Sequence, residues 1–262
     1  MTDQTPLDLA HVAMESAPDD VEKRLKYFER LADCELFLLL TEEASGDRLS
    51  PELFELADAS FVLAFDREER LSEFVGKPAP YAAISGRVVA GMLAGQGVGI
   101  ALNPEVALSS NIIDPEAVAW LAETVSAAPE EMQARVDELL PPNVPKILVT
   151  NLAEKLATAT GLADTAYLVA VQYENGTKSH MLGVVNALSE AEGAIAKAVN
   201  EALTFSGLEA AALDVTFVAA HDPIAASLAK VGLRFDLPQP EPTQEYAPKA
   251  PGRDPDSPPK LR

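Results

Sequence analysis

Short apolar runs alternate with helical segments along the first half of the chain, and this alternation most constrains the fold. The runs at 36–40, 59–65 and 98–102 are short and continuously apolar, which predicts buried strands. Helices are expected to begin at two pairs of a capping residue and a proline, Thr5-Pro6 and Asp114-Pro115. The alternation therefore predicts an α/β (α+β) layer structure.

A hairpin signal dominates the second half. The runs AYLVAVQY and SHMLGVVN flank Asn175-Gly176, a pair whose tolerance of positive φ suits a tight turn. Helices are predicted over 147–160 and, from the capping box at Ser189 to Glu192, up to Phe205. Another capping box, Asp66 to Glu69, is expected to open a helix in the first half. This half is predicted to run helix, hairpin, helix, strand, helix, strand.

Composition divides the chain into four predicted segments. Residues 1–127 are expected to form one mixed α/β domain, and 146–237 a second domain that carries the hairpin. The charged, proline-punctuated segment 128–145 is predicted to link them. In residues 238–262, eight of the 25 are proline. We expect this tail to be disordered, since it cannot bury enough apolar surface to offset its ordering entropy.

The charge of the chain excludes several classes of partner. The net charge is −21, and residues 1–140 alone hold 10 Lys+Arg against 27 Asp+Glu, which is −17. This charge repels the phosphate backbone of nucleic acid. The sequence contains no stretch of roughly 20 apolar residues, so no membrane span is predicted. An acidic start without a basic region argues against a signal peptide, and the single Cys34 fits a reducing cytoplasm. The acidic first half could attract a basic partner, or it could serve solubility alone.

Residues 91–104, GMLAGQGVGIALNP, are the best candidate for a ligand-binding loop. A dinucleotide site requires strand, glycines and helix in that order, whereas here a helix precedes the glycines and a strand follows. We therefore predict that Gly95 and Gly97 form a turn. If a cleft exists near this loop, the predicted ligand-binding residues are Arg87, Asn103, Gly95 and Gly97. Arg87 and Asn103 offer a cation and an amide for a carboxylate ligand.

Reactive side chains are few. The carboxylates beside Cys34 are expected to raise the pKa of its thiol and oppose nucleophilic use. His221-Asp222 could pair a base with an orienting carboxylate, but Asp222 is also expected to cap the helix at Pro223. His11 and His180 are expected to be half-buried. We predict no catalytic residue, no metal site and no cofactor.

Three blocks of the chain resemble a known bacterial family. TPLDLAHVAMESAPDD…RLKYFERLADCELFLLL, FVLAFDREERLSEF and APYAAISGRVVAGMLAGQGVGIALN resemble the N-terminal domain of the SseB family. EALTFSGLEAAALDVTFVAA…LAKVGLRFDLP looks like its C-terminal domain. The resemblance implies two domains, a bacterial cytoplasmic origin and a link to serine sensitivity, but it supplies no catalytic residues.

The function expected from the sequence is a non-catalytic, cytoplasmic interaction protein that binds another protein or a second copy of itself. One alternative is a regulator or enzyme that binds an amino acid or another carboxylate. A weaker alternative is a sulfur-transfer partner that acts through Cys34.

Overall fold

The computed structural model describes residues 4–46, 48–56, 59–127, 134–208 and 213–240. Within them the α/β prediction is confirmed, since helices pack on two mixed sheets. The helices are α1 Pro6–Glu15, α2 Val21–Asp33, α3 Glu68–Val75, α4 Gly86–Leu93, α5 Pro115–Ser126, α6 Lys146–Ala157, α7 Glu192–Thr204 and α8 Pro223–Val231. The strands are β1 Glu35–Leu39, β2 Leu53–Leu56, β3 Ala59–Phe65, β4 Tyr81–Ser85, β5 Val98–Leu102, β6 Asn111–Ile113, β7 Val136–Leu140, β8 Thr165–Tyr173, β9 Lys178–Val185, β10 Leu213–Val218 and β11 Leu233–Asp236.

The first sheet has the strand order β4-β1-β3-β5-β6, with β2 also paired to β3. Only β3 and β5 are parallel, and the other pairs are antiparallel. Helices α1, α2, α4 and α5 pack on one face through the larger hydrophobic cluster of this half. The opposite face is covered by α3, an eight-residue helix, through a smaller cluster that includes Leu71. Coverage of the two faces is therefore unequal.

The second sheet has the order β10-β9-β8-β11, with β7 also paired to β8. Strands β8 and β9 form the predicted hairpin, in which Gly176 adopts a positive φ of 84°. The Gly176 N–H donates to the carbonyl of Tyr173 at 2.8 Å and closes the turn. Helices α6 and α7 cover one face of this sheet, and α8 covers the other through Leu228.

Helix starts follow the sequence only in part. Thr5 and Asp8 cap α1 reciprocally and Asp114 caps α5, which confirms those two predictions. The capping boxes predicted at 66–69 and 189–192 are wrong. The Arg67 side chain makes no cap for α3, and a 3₁₀ turn, Ser189–Ala191, precedes α7.

The segment predicted as a linker contributes a strand to the second sheet. Strand β7 pairs with β8 from Val136↔Tyr173 to Leu140↔Ala170, with a bulge after Val136. Residues 128–133 of the linker and 241–262 of the predicted tail lie outside the described residues. Close to the end of the described residues, the chain is hydrogen-bonded to the second half. The Pro238 carbonyl accepts from the Gly161 N–H at 2.8 Å. None of the helices in the described ranges is long and apolar enough to cross a membrane.

Aromatic side chains join the two halves. Phe205, directly after α7, is buried in the larger hydrophobic cluster of the first half. Its ring meets Trp120 edge-on at 6.3 Å between centroids, and Trp120 meets Phe28 at 5.3 Å. Phe205, a residue of the second half, therefore completes the core of the first half. Its ring is removed from water in that core, which favours the contact between the halves. The division into domains at 127 and 146 stays a prediction.

Candidate functional site

A cleft of about 520 Å³ lies where helices of the two halves meet. Helices α2 and α4 form one wall, and α6 and α7 form the other. Most side chains that line the cleft are charged; the lining charged residues are Glu29, Arg30, Asp33, Arg87, Glu154, Lys155, Lys197 and Glu201. Its chemistry therefore depends on which of these charges pair with one another.

Arg87 is placed in the cleft by an unusually close contact between α2 and α4. A Cβ on Gly86 would lie 1.8 Å from the Leu31 carbonyl oxygen, so only glycine allows this approach. Arg87 follows at the start of α4 and donates to both Glu201 oxygens, at 2.8 and 3.1 Å, and to Asp33. Burial by itself would lower the pKa of Arg87, but the bonds to Glu201 and Asp33 outweigh it and raise that pKa.

Lys155 extends the same ion-pair network into the second half. Its side chain is almost fully buried, and its Nζ lies 2.5 Å from Asp33 and 3.2 Å from Glu201. At the outer end, Lys26 and Arg30 both contact Glu154, at 2.5 and 2.6 Å. Because buried charges are costly unless they are paired, these contacts hold the two halves in one relative position.

Lys197 differs from the other cations of the cleft. Arg30, Arg87 and Lys155 each have a carboxylate partner, whereas no ion pair to Lys197 is found in the described ranges. It is the lining cation best placed to meet an added anion.

Asn103 belongs to a different network from Arg87. It is fully buried at the end of β5 with a φ of 45°, and its amide donates to Asp66 at 2.9 Å and to Ser109 at 2.8 Å. Gly95 and Gly97 take positive φ values of 75° and 70° between α4 and β5, as expected of a turn. Binding of a ligand at these four residues stays a prediction, with Arg87 the one member that lines the cleft.

A buried cluster centred on Arg70 ties α3 to α1. The Arg70 guanidinium contacts Asp8 at 2.5 Å and Asp66 at 2.6 Å, and all three side chains are buried. The Ser109 hydroxyl donates to Asp8, and the Thr5 hydroxyl donates to Asp66. Burial would raise the pKa of Asp8, but the hydrogen bonds from Arg70, Ser109 and Thr5 outweigh it and hold that pKa well below its usual range.

The lowered pKa of Asp8 predicts a loss of stability in acid. The side chain of an unfolded aspartate has a pKa of about 3.9. The ionised Asp8 therefore contributes stability above about pH 4, and this contribution is lost as the pH falls toward the lower folded pKa. We expect Asp8→Asn to lose less free energy of unfolding than the unmodified protein between about pH 6 and about pH 3. Urea denaturation at both pH values measures this.

Asp19→Asn serves as the matched control, because Asp19 is exposed and lies outside the cluster. The control should retain the acid sensitivity of the unmodified chain. Equal acid sensitivity of Asp8→Asn and the unmodified chain would contradict the assignment.

Cys34 is held in a protonated form. Burial, aided by the negative charges of Asp66 and Asp33, raises the pKa of its thiol to about 12. The thiol donates to the Leu31 carbonyl with an S···O distance of 3.3 Å. At neutral pH the nucleophilic thiolate is therefore scarce.

The histidines lie apart from one another and from the cleft. The His221 side chain is 89% exposed, with Nε2 3.9 Å from Asp222. The Asp222 carboxylate accepts from the Ala219 N–H and makes no side-chain cap for α8, so the predicted cap is wrong. His11 is buried edge-on against Tyr27, and His180 is half-buried on β9. Across the described ranges, no group of three or more His, Cys, Asp or Glu is arranged to hold a metal ion.

A larger groove of about 1550 Å³ lies in the second half along β10 and α7. On its floor the Tyr173 hydroxyl donates to Asp214 at 2.6 Å. Burial, with the Asp214 bond and charge, raises the pKa of Tyr173 above its usual value. Tyr173 is therefore a neutral hydrogen-bond donor at neutral pH.

Large apolar side chains stand exposed along β2. Leu53 is 51% exposed, and Phe54 and Leu56 are each 45% exposed. Glu55 lies between them and accepts from the Ser60 hydroxyl at 2.8 Å. The sequence analysis did not predict this strand. An exposed apolar strand edge is a kind of surface that marks a contact with another molecule.

The fold and these sites define an α/β protein built on two mixed sheets. Residues 9–120 match the family model described as the SseB protein N-terminal domain. This match confirms the N-terminal part of the SseB resemblance stated from the sequence. The C-terminal part of that resemblance stays a prediction. No curated protein and no solved structure gives a significant match to the chain.

Proposed function

We propose that this chain is a non-catalytic protein of the bacterial cytoplasm whose acidic first half binds another protein. The observation that carries the proposal is the row of exposed apolar side chains on β2, Leu53, Phe54 and Leu56, beside acidic residues. Apolar area that water leaves on contact drives association, and unlike charge speeds the encounter and selects the partner.

The ion pairs of the cleft support the same proposal. Arg87 and Lys155 form ion pairs with Glu201 and Asp33, so they stabilise the junction of the two halves. A fixed junction keeps the surface of the first half pre-organised, which lowers the entropic cost of binding a partner.

A regulator that binds an amino acid or another small carboxylate is the second candidate. Its supporting observation is Lys197, which lines the cleft and has no ion pair among the described residues. The volume of about 520 Å³ falls in the range of small-molecule sites.

A photo-crosslinking residue placed singly at Leu9, Phe54 or Glu123 of the full chain tests the main proposal in cells. All three positions are exposed on the first half. We expect a covalent adduct with another protein from at least one of them. The absence of adducts at all three would contradict the proposal.

A thermal-shift screen of the purified chain separates the two candidates. Any ligand that binds the folded state raises its stability, by about 2.7 kcal/mol at 100 times Kd. We expect no rise in Tm with serine, alanine or aspartate at about 10 mM. A rise that Lys197→Met abolishes, with Lys230→Met as the control, would favour the carboxylate-binding alternative.

A further inference from the structure

We propose that β2 binds an extended segment of another protein by strand addition, and that this segment alternates apolar residues with lysine or arginine. The proposal rests on the proposed function, because it names the surface and the chemistry of the partner. Three features of β2 support it: an open backbone edge, an uncovered apolar face and a concentration of acidic residues.

The outer edge of β2 is open. The strand pairs with β3 from Leu53↔Val62 to Leu56↔Ala59, which occupies one side of it. On the other side β1 is linked only at the approach to the strand, where the Glu52 N–H donates to the Leu39 carbonyl at 2.9 Å. From Leu53 to Leu56, no other strand of the described chain pairs with it. Such an edge offers unpaired backbone donors and acceptors to an added strand.

One face of this edge is apolar. Side chains alternate along a strand, so Phe54 and Leu56 share a face with Phe61, the partner of Phe54 on β3. Helix α3 covers this face further along β3, around Phe65 and Leu71, and leaves the β2 end uncovered. Every second side chain of an added segment would lie against Phe54 and Leu56, which selects apolar residues there.

The surroundings of the strand are acidic. Among the described residues of the segment 41–56, four are Glu and one is Arg. Glu55 shares the second face with Leu53, and Glu52 precedes the strand. The remaining side chains of an added segment would lie across from Glu55 on that second face, with Glu52 close by in sequence, which selects lysine or arginine. A second copy of this chain would instead bring like charges together, and that juxtaposition is destabilising.

The test uses the full chain and a fluorescent, end-capped peptide of nine residues in which valine and lysine alternate. Its dissociation constant is measured by fluorescence anisotropy at about 0.15 M salt. We expect the double variant Phe54→Ser, Leu56→Ser to weaken binding about tenfold or more, since it removes the apolar contacts. Glu55→Lys should weaken it about threefold to tenfold.

Glu123→Lys is the matched control, because it makes the same change in net charge at an exposed position on α5. It should change the dissociation constant less than about twofold. Hydrogen exchange should show that the amides of 53–56 become protected when the peptide binds.

Three results would overturn the proposal. Equal weakening by Glu55→Lys and Glu123→Lys would show a diffuse attraction to the acidic chain. Full binding by the Phe54→Ser, Leu56→Ser variant would place the peptide elsewhere. A dimer in sedimentation that the same double variant dissociates would make a second copy the occupant. In each case, crosslinks from Leu9 or Glu123 to another protein would leave the proposed function standing.

Discussion

Replacing Arg70 with methionine is expected to lower the free energy of unfolding by about 3–5 kcal/mol. The guanidinium bridges Asp8 and Asp66, and the Asp8, Asp66 and Arg70 side chains are 2%, 3% and 7% exposed. Without it, two carboxylates remain buried with no cation, and the cost of their desolvation is no longer offset. Guanidinium denaturation of the two proteins measures the difference.

Two further variants make this prediction specific to the cluster. Arg24→Met removes an exposed arginine from α2 and should change the free energy of unfolding by about 0.5 kcal/mol or less. Arg70→Lys keeps the charge but not the fork of donors, so we expect an intermediate loss. A loss below about 1 kcal/mol for Arg70→Met would show that the cluster stabilises the fold little.

The substitution Gly86→Ala is expected to cost about 3 kcal/mol or more. The added Cβ would lie 1.8 Å from the Leu31 oxygen and 2.9 Å from its carbonyl carbon, and both are backbone atoms of α2. Helix α4 must therefore move away from α2. This shift also carries Arg87 away from Asp33 and Glu201 and weakens the junction of the two halves.

Gly91→Ala supplies the control within the same helix. A Cβ on Gly91 meets no atom within 4 Å, so this variant should be unchanged or more stable by up to about 1 kcal/mol. Thermal and urea denaturation of both variants measure the contrast. Equal stability of the two would contradict the close approach of α4 to α2.

Strand and helix positions were largely readable from the sequence. The strands predicted at 59–65 and 98–102 coincide with β3 and β5, because continuous apolar runs of that length suit a central strand covered on both faces. β2 went unpredicted, since its apolar residues stay exposed and Glu55 interrupts them. In α1 the buried residues are Leu7, Asp8 and His11, whereas the apolar side chains of Leu9 and Val12 are exposed, so the buried face does not follow the apolar pattern.

The candidate site was predicted only at single residues. Arg87 is a predicted site residue, yet its partners are Asp33 and Glu201, the latter 114 residues away in sequence. Asp66 was expected to cap α3 and instead accepts from Arg70 and Asn103. The Arg87–Glu201 and Asn103–Asp66 pairings have no signal in local spacing, because they depend on where distant elements come to rest. Asp66 and Arg70, by contrast, are only four residues apart.

Apart from β2 and β7, local sequence by itself determined which segments form the main helices and strands, that α1 and α5 begin at their capping residues, and that the first half is strongly acidic. These features follow from hydrogen bonds and burial patterns within a few residues of one another. The tertiary structure alone decided that Arg87 joins the two halves, that Arg70 is buried between two aspartates, and that β2 is left at an open edge. Those outcomes depend on close approaches such as Gly86 against Leu31, where elements distant in sequence meet.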